Sequence, residues 1–562
     1  MTTSTGGTIG GGAPRPRRGW IWALVAAVVA IIVAITVAVV IGDGAKKEAT
    51  NGPSSTAAIS GSGPGQAVDH VTFALNSGIP NLFIPNAWLI STGAAMSLVQ
   101  SGLLAFDTDL KLGPAIADEW SQPDPTTYVF HLRPDVMFSD GTALTAEDVV
   151  YSMEWNIDPA NASQLAAFYA GVESIVATSD SEITIKLSEP NAQFIYTVAH
   201  MSGFVFSKSQ YEKDPKNFGT PALIPVGTGP YKVVSFTPDQ SVTLSVNPHY
   251  YGEQPKVASI TLKTFTDAQA VQLAMRSGQI DGAFEVPITS INQWKQIDSA
   301  QVITEPSLNV LMLVMNVTRP PFNDVHVRRA VWHAIDREGL VKAALKGYGE
   351  VANAINPPEM WANLKSPDDV RTFYDTLTPP EFDMAKAKAE MAKSKYPKGF
   401  SISTQISSTV ALMAPIAESL TNTLGELGIK LSVTTVDSSV YFSSYINQKN
   451  NFYVRAYAPD FPDPVNYPYL FLYGANAVKN GMNAAEFKNP GFDGAIDTGL
   501  TAADPQARID AIEQALRIVD DQVPIAPIFF TDTAVAVSNR LQLNDFSAFY
   551  YNQTWALGLA GR

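Results

Sequence analysis

The first strong hydrophobic signal is Trp20 to Ile41, a run of 22 residues without a charge. As a helix it would extend about 33 Å, enough for a hydrocarbon core of about 30 Å. It exceeds the 7–15 apolar residues typical of a cleaved signal peptide, so we read it as a signal-anchor. Arg15, Arg17 and Arg18 precede it, which places residues 1–19 in the cytoplasm and the C-terminal body outside the cell membrane, single-pass. Residues 42–67 show no apolar period, are rich in Gly, Ser and Ala, and read as a flexible linker. From Val68 onward two periods alternate. Tyr128–Leu132 and Glu182–Leu187 predict strands by their β-branched and aromatic content. Helices are predicted over Ala146–Asn156, capped by Thr145, and over Val325–Ile335, capped by Asp324. Thr266 and Gln269 suggest a capping box for a helix ending near Gly278. Leu412, Ile416, Leu420, Leu424 and Leu427 form an apolar stripe stopped by Gly428. Asp504-Pro505 opens a helix carrying Ile509, Ile512, Leu516 and Val519. The body is predicted to be α/β.

Charge and composition narrow the function. Beyond the three N-terminal arginines the chain holds 35 basic and 53 acidic residues, net −18, so no nucleic acid partner is expected. There is no Cys, which removes disulfides, thiolate metal sites and cysteine nucleophiles. The six histidines, at 70, 131, 200, 249, 326 and 333, form no compact ligand pair and read as surface or partly buried polar residues. No nucleophile elbow or phosphate loop is present. The glycines of Gly227-Thr228-Gly229-Pro230 precede a strand-like Tyr231–Phe236, not a helix, and read as a turn. Asp368-Asp369 and Asp520-Asp521 read as solvated helix ends. No cofactor or metal is implied, and a binding function gains weight over an enzyme.

Arg455 to Pro468, RAYAPDFPDPVNYP, is a rigid, aromatic, charged run after the strand-like Phe452–Val454. Such loops often hold ligands. Asp460 can accept hydrogen bonds from an ammonium group, and Arg455 can clamp a carboxylate. The local pattern equally allows Asp460 and Asp463 to be turn residues and Arg455 a surface charge.

Five stretches tip this balance: LGPAIADEWSQPDPTTYVFHLRPDVMFSDGTALTAEDVVY at 112–151, GTGPY with NPHYYG at 227–252, SGQID at 277–281, PFNDVHVRRAVWHAIDRE at 321–338, and YAPDFPDP at 457–464. In this order the chain resembles extracellular solute-binding protein family 5, the peptide/nickel/opine group of ABC importers that includes the dipeptide- and oligopeptide-binding components. The resemblance covers most of residues 70–560. It departs at NLFIP (81–85), where relatives carry L-D-P, and in lacking a lipobox cysteine, whose lipid the helix 20–41 would replace.

The resemblance implies a two-lobed periplasmic-binding-protein-like fold. Lobe I would comprise 68–92, 201–305 and 528–562, with an additional subdomain inserted at 93–200, and lobe II would comprise 306–527. The chain would cross near Glu305-Pro306 and return near Ala526–Phe530. Trp120, Arg133, Asp140, Gly141 and Asp148 would be scaffold residues fixing turns, caps and packing. Asp460 would receive a peptide's α-ammonium, Arg455 would meet a carboxylate or side chain, and Tyr457 and Phe461 would form walls. The implied function is the membrane-tethered substrate-binding component of an ABC importer, capturing peptides and delivering them to permease transmembrane subunits with their ATPases. The alternatives are the same fold binding another small solute (opine, haem, oligosaccharide or nickel chelate), or a non-transport envelope sensor or assembly protein.

Overall fold

The computed structural model describes residues 65–377 and 381–562. The expected anchor at 20–41 and most of the linker lie outside the described residues. Among the described residues no helix is long and apolar enough to cross a membrane. The end of the expected linker is not free: Gln66 and Gly561 exchange two backbone hydrogen bonds of 2.9 Å, tying residues 65–67 to the C-terminal strand.

A nine-stranded sheet organises the body. From one edge it runs Phe452–Tyr457, Ala300–Met315, Ile525–Ser538, Gly282–Ala283, Val71–Leu75, Ser259–Thr264, Ser241–Val246 and Tyr231–Thr237, with Gly349–Val351 also pairing to Ile525–Ser538. Val71–Leu75 is parallel to both neighbours and every other pairing is antiparallel. The parallel strand is covered on both faces, hence its almost continuous apolar sequence VTFAL.

The two longest strands, Ala300–Met315 and Ile525–Ser538, pair along most of their length. Their register breaks where Pro306, which has no N–H to donate, faces Asp532; the next paired residues are Val310 and Phe530. Beyond the break, alternate side chains enter different cores. Val310, Met312 and Val314 join the largest core, while Leu311, Leu313 and Met315 join a second one with the helix stripes Val327, Ala330, Val331 and Ile416, Leu420, Leu424. The edge strand follows the same rule: Tyr453 and Tyr457 face the largest core, Phe452 and Val454 the second. Arg455 therefore shares its face with the two tyrosines.

A separate four-stranded antiparallel sheet joins Ala117–Asp124, Thr127–Leu132, Glu182–Leu187 and Val172–Ser179. The helix Ala146–Ile157 begins with a full capping box, in which Thr145 accepts from the Asp148 N–H and Asp148 accepts from the Thr145 N–H. Asp324 and Asp504 cap the helices Val325–His333 and Pro505–Gln522 as their sequences predict. Three expectations are corrected. The helix Ala268–Arg276 is capped by Asp267, one residue after Thr266, because the aspartate carboxylate reaches the Gln269 N–H. Trp120, expected to pack, is 37% exposed on a strand whose face meets solvent. His200 is fully buried among Trp88, Phe168, Phe461 and Phe549, and loss of hydration lowers its pKa to about 3. The GTGP cluster is a close backbone approach: a Cβ on Gly227 would lie 1.9 Å from the Val99 carbonyl oxygen, so only glycine fits.

Candidate functional site

The segment Arg455 to Asp463 lies at the boundary between residues 359–508 and the 104–200 region, with Tyr457 and Phe461 inside the largest core. Arg455 is 7% exposed, not a surface charge. Its guanidinium carbon lies 4.8 Å from the Tyr445 ring centre, 5.3 Å from Tyr457 and 5.9 Å from Phe442, beside the Tyr441 hydroxyl. Its buried Nε has no hydrogen-bond partner, and no carboxylate among the described residues pairs with it. Cation–π contacts contribute roughly 0.5–2 kcal/mol, less than the several kcal/mol needed to dehydrate a charge, so the site has capacity for an anion.

The two acids of the PDFPDP turn have opposite environments. Asp463 is fully buried and paired: its carboxylate accepts from Arg508 at 2.7 Å and from the Val465 N–H at 3.0 Å, while Gln193 approaches at 3.5 Å. Arg508 also donates to the Gly499 carbonyl and contacts Tyr196. Asp463 thus combines the turn role its sequence suggests with a buried ion pair. Asp460 is half-buried and makes no hydrogen bond or ion pair among the described residues. Burial without a compensating charge pushes its carboxyl up to about 7. The phenols of Tyr457, Tyr467 and Tyr551 surround it closely enough to feel its charge. Tyr467 is fixed by its hydroxyl donating to the Leu308 carbonyl at 2.5 Å.

Phe461, 7% exposed, packs against Phe168, Tyr196 and His200 with ring centres 5.3, 6.0 and 5.7 Å away. It joins the loop to the 166–203 segment. Further polar contacts cross the same boundary: Leu112 N–H donates to the Asn363 side chain at 2.9 Å, Asn363 donates to the Leu110 carbonyl at 2.8 Å, and Ala192 N–H donates to the Leu500 carbonyl at 2.7 Å. Along this boundary lies a cavity of about 570 Å³, lined by Asp109, Lys111, Glu305, Leu308, Glu359 and Phe546 among others.

Glu285 follows the short strand Gly282–Ala283 and has φ +53°. Burial pushes its carboxyl up to about 7 against a hydrogen bond from Asn76. Its charge reaches Tyr550 and Tyr551, and Phe284 stacks on Tyr550 at 4.3 Å and 6°. Glu285, Arg508, Tyr467 and Tyr551 escaped the sequence reading. Arg508 lies beside the apolar stripe of its helix and Tyr551 in the aromatic run FSAFYYNQTW, but neither pattern states a partner. Among the described residues no cluster of three or more His, Asp or Glu is arranged to hold a metal ion.

The sequence profile of the bacterial extracellular solute-binding proteins, family 5 Middle, matches residues 111–479. The glutathione-binding protein GsiB of Escherichia coli (strain K12) is 28% identical over 351 residues, 62% of this chain and 66% of GsiB, just under two thirds of its length. Heme-binding protein A of Haemophilus influenzae is 24% identical over 500 residues, covering 84% of this chain and 89% of its own. The fold is similar to that of the ABC transporter-associated periplasmic binding protein DppA from Helicobacter pylori in complex with peptide STSA, with a TM-score of 0.70 at 21% identity over 88% of this chain and 98% of that one.

Proposed function

Because the chain belongs to family 5 of the bacterial extracellular solute-binding proteins, we propose that it captures short peptides between two lobes and delivers them unaltered to an ABC permease. The relatives support this ligand class, since one is named for glutathione, a tripeptide, and another holds the peptide STSA. The observation that carries the reading is the charge pattern around Tyr457. An unpaired carboxyl, Asp460, and a guanidinium without a carboxylate, Arg455, both act on its phenol. A zwitterion satisfies both: its α-ammonium pairs with Asp460 and its carboxylate with Arg455. Tyr457 and the nearby Phe461 are the aromatic walls.

In this reading lobe I is 68–92, 201–305 and 528–562, the inserted subdomain is 93–200, and lobe II is 306–527. The register break at Pro306 and Asp532 lies near both crossings and serves as the hinge. Ligand contacts that need both lobes shift the open–closed balance toward closure. The segment 20–41 tethers the body to the membrane beside the permease, with residues 42–64 as the leash. The protein binds and transports; no covalent step occurs.

Isothermal titration of the ligand-stripped protein with a panel of di- to pentapeptides and glutathione tests this. At least one peptide should bind at micromolar or tighter Kd, and Asp460→Asn should weaken it by about 2–5 kcal/mol. Binding of haem or a nickel chelate with no heat from any peptide would reject the peptide class.

A further inference from the structure

One side chain, Asn363, joins residues 359–367 to the turn at 107–112. Its amide oxygen accepts from the Leu112 N–H at 2.9 Å and its amide nitrogen donates to the Leu110 carbonyl at 2.8 Å, so it grips the main chain on either side of Lys111. The Asn amide holds a donor and an acceptor in one plane, which a backbone carbonyl and an N–H two residues on can meet together. The gripped turn is itself fixed. The Lys111 N–H donates to the Asp107 side chain at 2.8 Å, the Asp107 N–H donates to the Lys111 carbonyl at 2.9 Å, and Leu110 takes φ +66°. The other side is equally firm. The N–H groups of Leu364 and Lys365 donate to the Trp361 carbonyl at 2.7 and 2.8 Å. Trp361 is fully buried; its indole donates to the Tyr374 hydroxyl at 3.1 Å, and that hydroxyl donates to the Asn356 carbonyl at 2.7 Å. The Asn356 side chain donates in turn to the Pro464 carbonyl at 2.6 Å. Direct contacts thus run from Asn363 to the loop that carries Asp460.

Open space flanks this grip on both sides. Asn363 and Leu364 border the cavity of about 570 Å³ together with Leu110 and Lys111, and they also border a cleft of about 440 Å³ together with Leu112 and Trp120. Groups beside a void lose few dispersion contacts when they part, so the two hydrogen bonds carry much of the cohesion at this place. Resting on the two-lobed reading above, we propose that Asn363 is the clasp between lobe II and the inserted subdomain, setting the population of the closed form and through it the affinity for ligand. Both polar atoms of its side chain are engaged with main chain, so it acts as a positioning residue while Asp460 and Arg455 meet the ligand's charges. A ligand that binds only the closed form has its apparent Kd raised by the inverse of the closed fraction, so loosening the clasp weakens binding with every ligand contact intact.

The chain has no cysteine, so spin labels placed through Ser181→Cys and Asn422→Cys, both at exposed positions, report the separation of the inserted subdomain and lobe II in the full-length protein. Pulsed electron–electron resonance, without ligand and with tri-alanine or glutathione, should show a smaller closed population in Asn363→Ala than in the unaltered protein. Titration should show Kd for whichever probe binds raised five-fold or more. Asn363→Asp keeps the acceptor for the Leu112 N–H and loses the donor to the Leu110 carbonyl, so it should fall between the two. Unchanged distances in Asn363→Ala would overturn the proposal, and so would an unchanged Kd. A variant that only melts lower, with distances and Kd intact, would make Asn363 a packing residue and overturn it as well. If neither probe binds, the peptide reading loses its support, and the distances alone decide the clasp: a closed population reduced in Asn363→Ala upholds it, an unaltered one sinks it.

Discussion

Replacing Asp460 by Asn should stabilise the empty protein above neutral pH. Burial moves this carboxyl from 3.8 to about 7, whereas in an unfolded chain it titrates at about 3.9. Between these values the folded protein holds a proton that the unfolded chain has released. The free energy of unfolding therefore falls as pH rises through the window and levels off above about 7. A displacement of about three units corresponds to about 4 kcal/mol at pH 8, of which about 2.5 kcal/mol is lost between pH 5 and pH 8. This is a ceiling, because Asp460 keeps some contact with solvent. Asparagine has nearly the same shape and no charge to dehydrate, so it removes the penalty. With about 2.1 cal/mol/K per residue over roughly 500 residues, 4 kcal/mol raises Tm by about 4 °C in a single transition. Glu285 and Asp532, also pushed up to about 7, titrate in both proteins and cancel in the difference. Calorimetric scans of ligand-stripped protein and variant at pH 5 and pH 8 provide the assay. We expect Asp460→Asn to melt about 2–4 °C higher at pH 8, with the gap at least halved at pH 5. An equal or lower Tm at pH 8, or a gap indifferent to pH, would show that the carboxylate is already solvated or paired and would refute the reasoning. A gain in stability coupled to a loss of binding is the pattern expected where a site stores an unmet charge.

Affinity for an ammonium-bearing ligand should drop about ten-fold per pH unit below about 7, as the Asp460 carboxyl takes up its proton; titration from pH 8 to 5.5 giving a flat profile would contradict this. Asp463→Ala strands the buried Arg508 guanidinium, at a cost of about 3–5 kcal/mol in urea unfolding. The double variant Asp463→Leu/Arg508→Met should recover much of that loss, and a single-variant cost below about 1 kcal/mol would mean water replaces the carboxylate. Thr145→Ala should cost about 1 kcal/mol through the lost capping box while ligand affinity stays unchanged, because the cap stands on the separate four-stranded sheet's helix.

Local chemistry made much of the fold legible. Caps act within three residues, so Thr145, Asp324 and Asp504 mark helix starts directly. The miss at Thr266 shows the limit of the same rule: two adjacent oxygens compete for one amide, and backbone geometry at Asp267 chooses between them. Burial is less legible. The histidine ring is compatible with surface or core, and His200 is interior only because Phe168, Phe461, Trp88 and Phe549 converge on it from distant segments.

Five ordered motifs carried the family resemblance, while local periodicity and composition made the mixed α/β class and the unusual character of the RAYAPDFPDP loop readable. Local pattern treats Asp460 and Asp463, three residues apart in the same turn, alike, and only the family resemblance singles out Asp460. Only the tertiary structure assigns Arg508, 45 residues downstream, to one and leaves the other facing tyrosines. Glu285 came to light the same way, since its relation to Tyr551 exists solely across the folded chain. The physical reason is that a charge takes its meaning from its surroundings: hydration and counter-ions are supplied by whatever the fold brings within a few ångströms, and that list is not written next to the residue.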